Sequence, residues 1–129
     1  QFVLGVGCRR DMAFENIDSA IRQSLLKLHI DISDIDMIAS IDVKKDEPGI
    51  KEFCDRNRIE FVTYTADELM AVQGEFSASQ FVKEHVGVDN VCERAAVLAC
   101  SRECNKAGKL VYKKHKYDGV TVAAAKYPD

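Results

Sequence analysis

The stretch LGVGCRRDMAFENI, residues 4–17, joins an apolar run to a helical pattern through a turn with a thiol and two guanidinium groups. The apolar run Phe2–Val6, ended by Gly7, is typical of a strand buried on both faces. After the turn, apolar residues recur every three or four positions as far as Leu28. This spacing predicts an amphipathic helix with Asp11 as its cap. A strand followed directly by a helix is the repeating unit of α/β proteins.

Two further strands continue this alternation. The segments MIASIDV, residues 37–43, and IEFVTY, residues 59–64, predict the strands, and Pro48 suits the first turn of a helix between them. After the third strand, segments 65–68 and 77–80 have the T-x-x-E and S-x-x-Q spacing of capping boxes. Two short helices are therefore predicted there.

The last part of the chain predicts a longer helix and a hairpin. Asn90, with a glutamate three residues later, has capping spacing before a helix that we expect Gly108 to end. Two β-rich runs then flank Asp118 and Gly119, which predicts a hairpin with a type I′ turn. The fold class is therefore α/β. We expect one domain over residues 1–129, a three-layer α/β/α sandwich with a mixed, partly parallel sheet ending in a β-hairpin.

Composition and charge narrow the class of protein. A chain of 129 residues with 47% apolar residues fits one hydrophobic core, and a net charge of −3 gives no overall basic field for nucleic acid. The sequence has neither a secretory signal pattern nor an apolar run long enough to span a bilayer. Five cysteines without a CxxC pair favour the reducing cytoplasm over a disulfide framework. The missing initial methionine suggests a fragment of a longer multidomain protein.

Several polar residues are predicted to meet where the parallel strands end, because loops at the carboxyl ends of such strands lie along one edge and usually bind ligands. They are Cys8, Arg9 and Arg10 after the first strand, Lys44 and Lys45 after the second, and Thr65 after the third. Four cations near a helix start predict a site for carboxylates or phosphates. The alternative is that both lysines are ordinary solvated side chains.

The glycines and Cys8 allow other interpretations. Gly5-x-Gly7 is followed by Arg10 where a dinucleotide fingerprint needs a third glycine, so a nucleotide loop is weakly supported. A helix start and two arginines should lower the pKa of the Cys8 thiol and favour a reactive thiolate. The alternative that we favour is a small residue tolerated in a crowded turn.

The remaining candidate residues lie on the long helix. Cys92, Ala96, Cys100 and Cys104 recur every four residues, which suits a soft metal site but more often marks small core positions. The histidines share no metal-ligand spacing, so no metal site is predicted. Glu93 is either a capping residue or a general base at the binding edge.

Three segments resemble one known family. GVGCRR at residues 5–10, VGVDNVCERAAVLAC at 86–100 and KYDGVTVAAAK at 116–126 resemble the C-terminal domain of the cobalamin-biosynthesis CbiG family, which includes the stand-alone relative CobE. The resemblance implies a three-layer α/β sandwich and a cobalt-precorrin-5A hydrolase, which opens the ring-A lactone of a cobalt-containing tetrapyrrole with release of acetaldehyde. It implies no resident cofactor, because the substrate carries the cobalt. The expected partners are the precorrin and a possible fused precorrin methyltransferase domain, with neither nucleic acid nor membrane.

The family motifs cover Gly5, Gly7, Cys8, Arg9, Glu93 and Thr121 but assign them no catalytic roles, so the expected site follows from the chemistry of the substrate. A flat macrocycle edged with acetate and propionate groups needs an apolar surface lined with cations. The expected substrate-binding residues are Gly5, Gly7, Arg9, Arg10, Lys44, Thr65 and Thr121. Backbone amides of residues 7–9, or the Arg9 side chain, would stabilise an oxyanion. Glu93 is the expected general base, with Cys8 or His85 as alternatives.

Two other functions stay open. The domain could bind the corrinoid without catalysis and position it for a catalytic domain elsewhere in the protein. It could also be a metal or redox module that uses Cys8 and the helical cysteines.

Overall fold

The computed structural model alternates strands and helices and ends in a hairpin. It describes residues 1–72, 76, 90–106 and 108–128. The strands are β1 (Phe2–Cys8), β2 (Ile35–Ile41), β3 (Glu60–Tyr64), β4 (Lys109–Tyr117) and β5 (Val120–Lys126). The helices are α1 (Phe14–Leu28), α2 (Pro48–Asn57), α3 (Ala66–Met70) and α4 (Val91–Cys104), and short 3₁₀ turns span Ile32–Asp34 and Asp42–Lys44. The second capping box, at 77–80, lies outside the described residues.

The five strands form one mixed sheet in the order β3-β2-β1-β5-β4. Strands β1, β2 and β3 are parallel, and β5 pairs antiparallel with both β1 and β4. Helices α1 and α2 cover one face, and α3 and α4 cover the other, so each face has its own apolar cluster. The predicted three-layer α/β sandwich with a partly parallel sheet is confirmed.

The central strand β1 is longer than predicted. Its pairing with β5 continues to Cys8, which lies opposite Val120, so Gly7 does not end the strand. Both glycines and the cysteine are therefore strand residues, and the turn begins at Arg9. The cause is a partner strand more than a hundred residues away, which no local pattern around Gly7 indicates.

Gly5 allows helix α4 to lie directly on β1. A Cβ atom added at Gly5 would lie 1.7 Å from the carbonyl oxygen of Cys92. No other residue could occupy this position without moving the backbone of one of the two elements. The start of α4 is therefore fixed above the middle of β1.

Helix α1 begins later than predicted. Its first residue is Phe14 and its cap position is Ala13, which makes no side-chain capping bond. Asp11 instead has a left-handed backbone with φ of 60°. The prediction of Asp11 as a cap is wrong, because residues 9–13 form a turn of their own before the helix starts.

Of the other predicted helix ends, the starts of α3 and α4 are confirmed and the end of α4 is not. Thr65 forms the predicted capping box of α3, and the Asn90 side chain accepts the predicted bond at the start of α4. Helix α4 ends at Cys104, and Asn105, with φ of 56°, caps it before the chain reaches Gly108. A Cβ at Gly108 would lie 2.5 Å from the Cβ of Cys100, so this glycine serves close packing after the helix end.

The predicted hairpin is confirmed, but its turn type is not. Tyr117 pairs with Val120 across a loop of Asp118 and Gly119. A type I′ turn needs positive φ at both loop residues, and only Gly119 has it, with φ of 78°. A Cβ at Gly119 would lie 2.1 Å from the Cε of Met12, so the hairpin turn packs tightly on the turn after β1.

Gly5→Ala should lower the free energy of unfolding by about 3 kcal/mol or more, because the added methyl group would overlap backbone atoms that cannot rotate away. Urea unfolding followed by circular dichroism measures the loss. Gly7→Ala is the matched control, since its Cβ would lie 2.7 Å from the Thr121 hydroxyl oxygen, which belongs to a side chain that can move. Equal losses in the two variants would contradict the close seating of α4 on β1.

Candidate binding and active site at the strand ends

The carboxyl ends of β1, β2 and β3 lie at one edge of the sheet, because the three strands are parallel neighbours. We name the segments that leave this edge, Cys8–Asp11 and Asp42–Glu47 together with Thr65, the strand-end rim. The Arg9 amide donates to the Gly119 carbonyl at 3.1 Å, so the hairpin turn closes against the first segment.

The four predicted cations occupy the first two segments of the rim. Arg9, Arg10 and Lys45 are exposed, and Lys44 is half-buried. Within the part of the chain that the structure describes, none of the four forms an ion pair. The same segments also carry four acidic residues, Asp11, Asp42, Asp46 and Glu47. The rim is therefore a surface of mixed charge, and its four cations form no ion pairs with the described residues.

Glu47 is the buried carboxylate of the rim. Its Oε1 atom accepts a hydrogen bond from the Asp11 amide at 2.7 Å and lies 3.7 Å from the Cys8 sulfur. The start of α2 packs closely on the same turn, since a Cβ at Gly49 would lie 2.6 Å from the Met12 carbonyl oxygen. The sequence alone did not point to Glu47, whose only local signal is its position directly before a helix-starting proline.

The Cys8 thiol lies inside this arrangement. The pKa of Cys8 is raised to about 12, mainly by burial, while Lys44 lowers it and the neighbouring Glu47 carboxylate raises it. The expectation of a lowered pKa is wrong, because removal from water outweighs the nearby positive charge. Cys8 is therefore a neutral thiol at physiological pH, which agrees with the favoured alternative of a small residue in a crowded position.

Glu93 lies on the other face of the sheet. Its side chain has 0% solvent exposure, and its Oε2 atom accepts from the Lys114 amide of β4 at 2.6 Å. Its own amide donates to the Asn90 side chain at 3.1 Å, so it belongs to the start of α4. The carboxylate thus ties α4 to the edge strand, whereas a general base must reach the water that it deprotonates. Its role as the base stays a prediction with unfavourable geometry.

Gly5, Gly7 and Thr121 lie together on the face of the sheet that α4 covers. The Thr121 hydroxyl donates to the Gly7 carbonyl at 3.4 Å across the β1–β5 pair. These residues position α4 and the end of β1, and Gly5 is buried. Any contact of theirs with a substrate stays a prediction.

Thr65 lies at the rim but its hydroxyl is already used. It accepts from the Glu68 amide at 3.1 Å, and Glu68 bonds back to the Thr65 amide at 2.9 Å. The third candidate for the base, His85, lies outside the described residues. The structure therefore brings Cys8 and Lys44 together with Glu47, and it leaves Thr65 at the same edge in a capping role.

Of the helical cysteines, Cys92 and Cys100 are core residues and Cys104 is half-buried. Cys92 and Cys100 are buried, and burial raises the pKa of each to about 12. Among residues 1–72, 76, 90–106 and 108–128, no three His, Cys, Asp or Glu side chains cluster closely enough to hold a metal ion. Over the same ranges, no helix combines the length and apolar character needed to cross a bilayer.

Comparison with known proteins identifies the family. Residues 2–125 match the family described as cobalamin synthesis G C-terminus. The chain belongs to this family. A cobalt-precorrin-5A hydrolase of Salmonella typhimurium is 32% identical over 120 residues, which cover 93% of this chain and 32% of that protein. The chain thus spans about a third of the length of this curated relative.

Two solved structures share the fold. Cobalamin biosynthesis protein chiG from Agrobacterium tumefaciens is 27% identical, with a TM-score of 0.76 and full coverage of both chains. CobE, a protein from the cobalamin (vitamin B12) biosynthetic pathway, has a TM-score of 0.90 at 23% identity, with 96% of this chain and 91% of that chain covered. The resemblance seen in three sequence segments is therefore confirmed.

The Cys8 thiol should react slowly with iodoacetamide. A pKa of about 12, compared with the ordinary 9.0, lowers the thiolate fraction at pH 8 roughly a thousandfold. Mass spectrometry of the Cys8 peptide measures the rate, with the same chain unfolded in urea as the reference. Glu47→Gln should speed the reaction, because it removes a negative charge that raises the pKa. Equal rates in the folded and unfolded chains would contradict the buried, neutral thiol.

Proposed function

We propose that this chain is part of a cobalt-precorrin-5A hydrolase of cobalamin biosynthesis, which opens the ring-A lactone of a cobalt-containing precorrin with release of acetaldehyde. Family membership and a named hydrolase relative at 32% identity support the proposal. The observation that carries it is the pair of arginines at the carboxyl end of the central strand, which form no ion pair within the described residues. We assign the reaction to the cytoplasm and the cobalt to the substrate.

The turn geometry supports a role in carboxylate binding. The Arg9 amide is fixed by the Gly119 carbonyl, and the Asp11 amide is fixed by Glu47, so the backbone on both sides of Arg10 is held. Exposed guanidinium groups on a fixed turn lose less conformational freedom when they bind a carboxylate than groups on a mobile loop would. Acetate and propionate groups at the edge of the macrocycle would be their partners.

The lactone carbonyl needs a donor for its developing negative charge. The Arg9 amide is committed to Gly119, so the backbone of the turn contributes less than the sequence suggested. We propose that the Arg9 guanidinium supplies this stabilisation. The Arg9 side chain is exposed and forms no ion pair within the described residues. Its Cδ atom lies 3.7 Å from the point where a Cβ added to Gly119 would be.

A second function keeps support from the structure. Glu93, the base expected from the sequence, is sealed from solvent, which favours a corrinoid-binding domain that positions the precorrin for catalysis elsewhere in the protein. A fused precorrin methyltransferase would be a partner under either function. The metal or redox alternative is less favoured, because Cys8, Cys92 and Cys100 all have raised thiol pKa values and a thiolate is the form that binds metals.

Arg9→Ala should weaken the binding of cobalt-precorrin-5A roughly tenfold, because it removes a charge-assisted hydrogen bond. Fluorescence or absorbance titration of the domain measures the affinity. Arg22→Ala is the matched control, because Arg22 is an exposed arginine on α1 that is paired with Asp18 at 2.9 Å. Equal affinity of the parent and Arg9→Ala would remove Arg9 as an anchor.

Measuring acetaldehyde release by the complete natural protein distinguishes the hydrolase from a corrinoid-binding domain, which we call the carrier. If Arg9 stabilises the transition state, Arg9→Ala should lower kcat as well as raise KM. A raised KM with the parent's kcat would support the carrier, because binding without preferential stabilisation of the transition state changes KM alone. A parent protein that releases no acetaldehyde would contradict the proposed hydrolase.

A further inference from the structure

The Glu47 carboxylate is held at one oxygen and open at the other. Oε1 accepts from the Asp11 amide at 2.7 Å, while no described residue donates to Oε2. No buried side-chain nitrogen or oxygen among the described residues lacks a hydrogen-bond partner. Since Oε2 has none, it must reach solvent. Glu47 thus combines a fixed orientation with one accessible basic atom.

The backbone of Glu47 is also fixed on both sides. Its amide donates to the Lys44 carbonyl at 3.0 Å, and its carbonyl accepts from the Lys51 amide at 3.1 Å. The residue as a whole is 7% exposed. A group restrained in this way is preorganised, which is what a catalytic proton acceptor requires.

Glu47 also lies among the groups proposed to hold the substrate. Its Oε1 atom is 3.7 Å from the Cys8 sulfur, and the charge of Lys44 acts on the same thiol. The turn that it anchors carries both arginines. By comparison, Glu93 has 0% exposure and its carboxylate is bonded to the backbone of β4. Of these two buried glutamates, Glu47 is the one with an oxygen open to water at the strand-end rim.

We propose that Glu47 is the general base that activates water for lactone opening, an inference that rests on the proposed function. Oε2 accepts one proton from a water molecule as the water oxygen bonds to the lactone carbonyl carbon. Collapse of the tetrahedral intermediate breaks the bond between this carbon and the ring oxygen, and Glu47 returns the proton to that leaving oxygen. One water is consumed, and the products are a carboxylic acid and a hydroxyl group. The carbon that carries this hydroxyl then leaves as acetaldehyde when its bond to the macrocycle breaks, and the macrocycle takes up the proton that the hydroxyl loses, so no further reactant is needed.

Glu47→Gln in the complete natural protein is the principal test. The amide oxygen of glutamine can still accept from the Asp11 amide, so the turn and the affinity for cobalt-precorrin-5A should be kept, whereas glutamine cannot take a proton. We expect kcat for acetaldehyde release to fall by about 10²- to 10⁴-fold, the usual contribution of a positioned base. Glu52→Gln is the matched control, because Glu52 lies on α2 and pairs with Arg56 on the surface, and it should keep the parent's kcat.

Rescue separates a base from a structural role. Formate added to Glu47→Ala should restore part of kcat, because a small carboxylate can enter the vacated space and accept the proton, and acetate should restore less because it is larger. Normal turnover by Glu47→Gln would overturn the base while leaving the proposed function intact. Loss of affinity together with kcat in Glu47→Gln, and no rescue of Glu47→Ala by formate, would also overturn it. A parent without acetaldehyde release would overturn the proposed function itself.

Discussion

The contact between the Cys92 carbonyl and the bare backbone of Gly5 determines how one whole layer of this domain is placed. A helix carrying many small residues can approach a sheet closely only where the strand beneath it has no side chain. A Cβ atom added at Gly5 would lie only 1.7 Å from the Cys92 carbonyl oxygen. With the helix seated there, Glu93 reaches across β5 to the Lys114 amide. A buried carboxyl group is stable in this position only because it is hydrogen-bonded, so Gly5 also determines where that group can be placed.

On the opposite face of the sheet, a second buried carboxylate holds the turn after β1. Glu47 directly precedes α2, and its side chain accepts from the Asp11 amide, while the Gly119 carbonyl accepts from the Arg9 amide, so two distant parts of the chain fix the same turn. The backbone of the turn therefore loses its freedom during folding, while its two guanidinium groups stay exposed. The free energy that orders this turn comes from the folded core and does not have to come from the ligand.

The sequence predicts what local patterns determine and misses what distant neighbours determine. The order of the described strands and helices, the capping box at Thr65 and the hairpin at Gly119 follow from short-range spacing, and all three are present. The predicted end of β1 is wrong, because the strand is extended by its pairing with β5, which is more than a hundred residues away in the sequence. The predicted shift of the Cys8 pKa has the wrong direction, because charges can be counted in a sequence but burial cannot. Glu47 was missed for the same reason, since an isolated glutamate before a helix usually faces water.

The charges of the rim indicate how a polycarboxylate could be recognised on an acidic protein. The chain has a net charge of −3, and the rim segments Cys8–Asp11 and Asp42–Glu47 hold four cations and four acidic residues. The rim therefore has no net positive field that would attract an anion from a distance. Dissolved salt would in any case screen such a field over about 10 Å. Attraction must come from individual cations at fixed positions, and carboxylates with different spacing would meet acidic neighbours instead. Selectivity on such a surface depends on the separation of the ligand's carboxylates more than on their number.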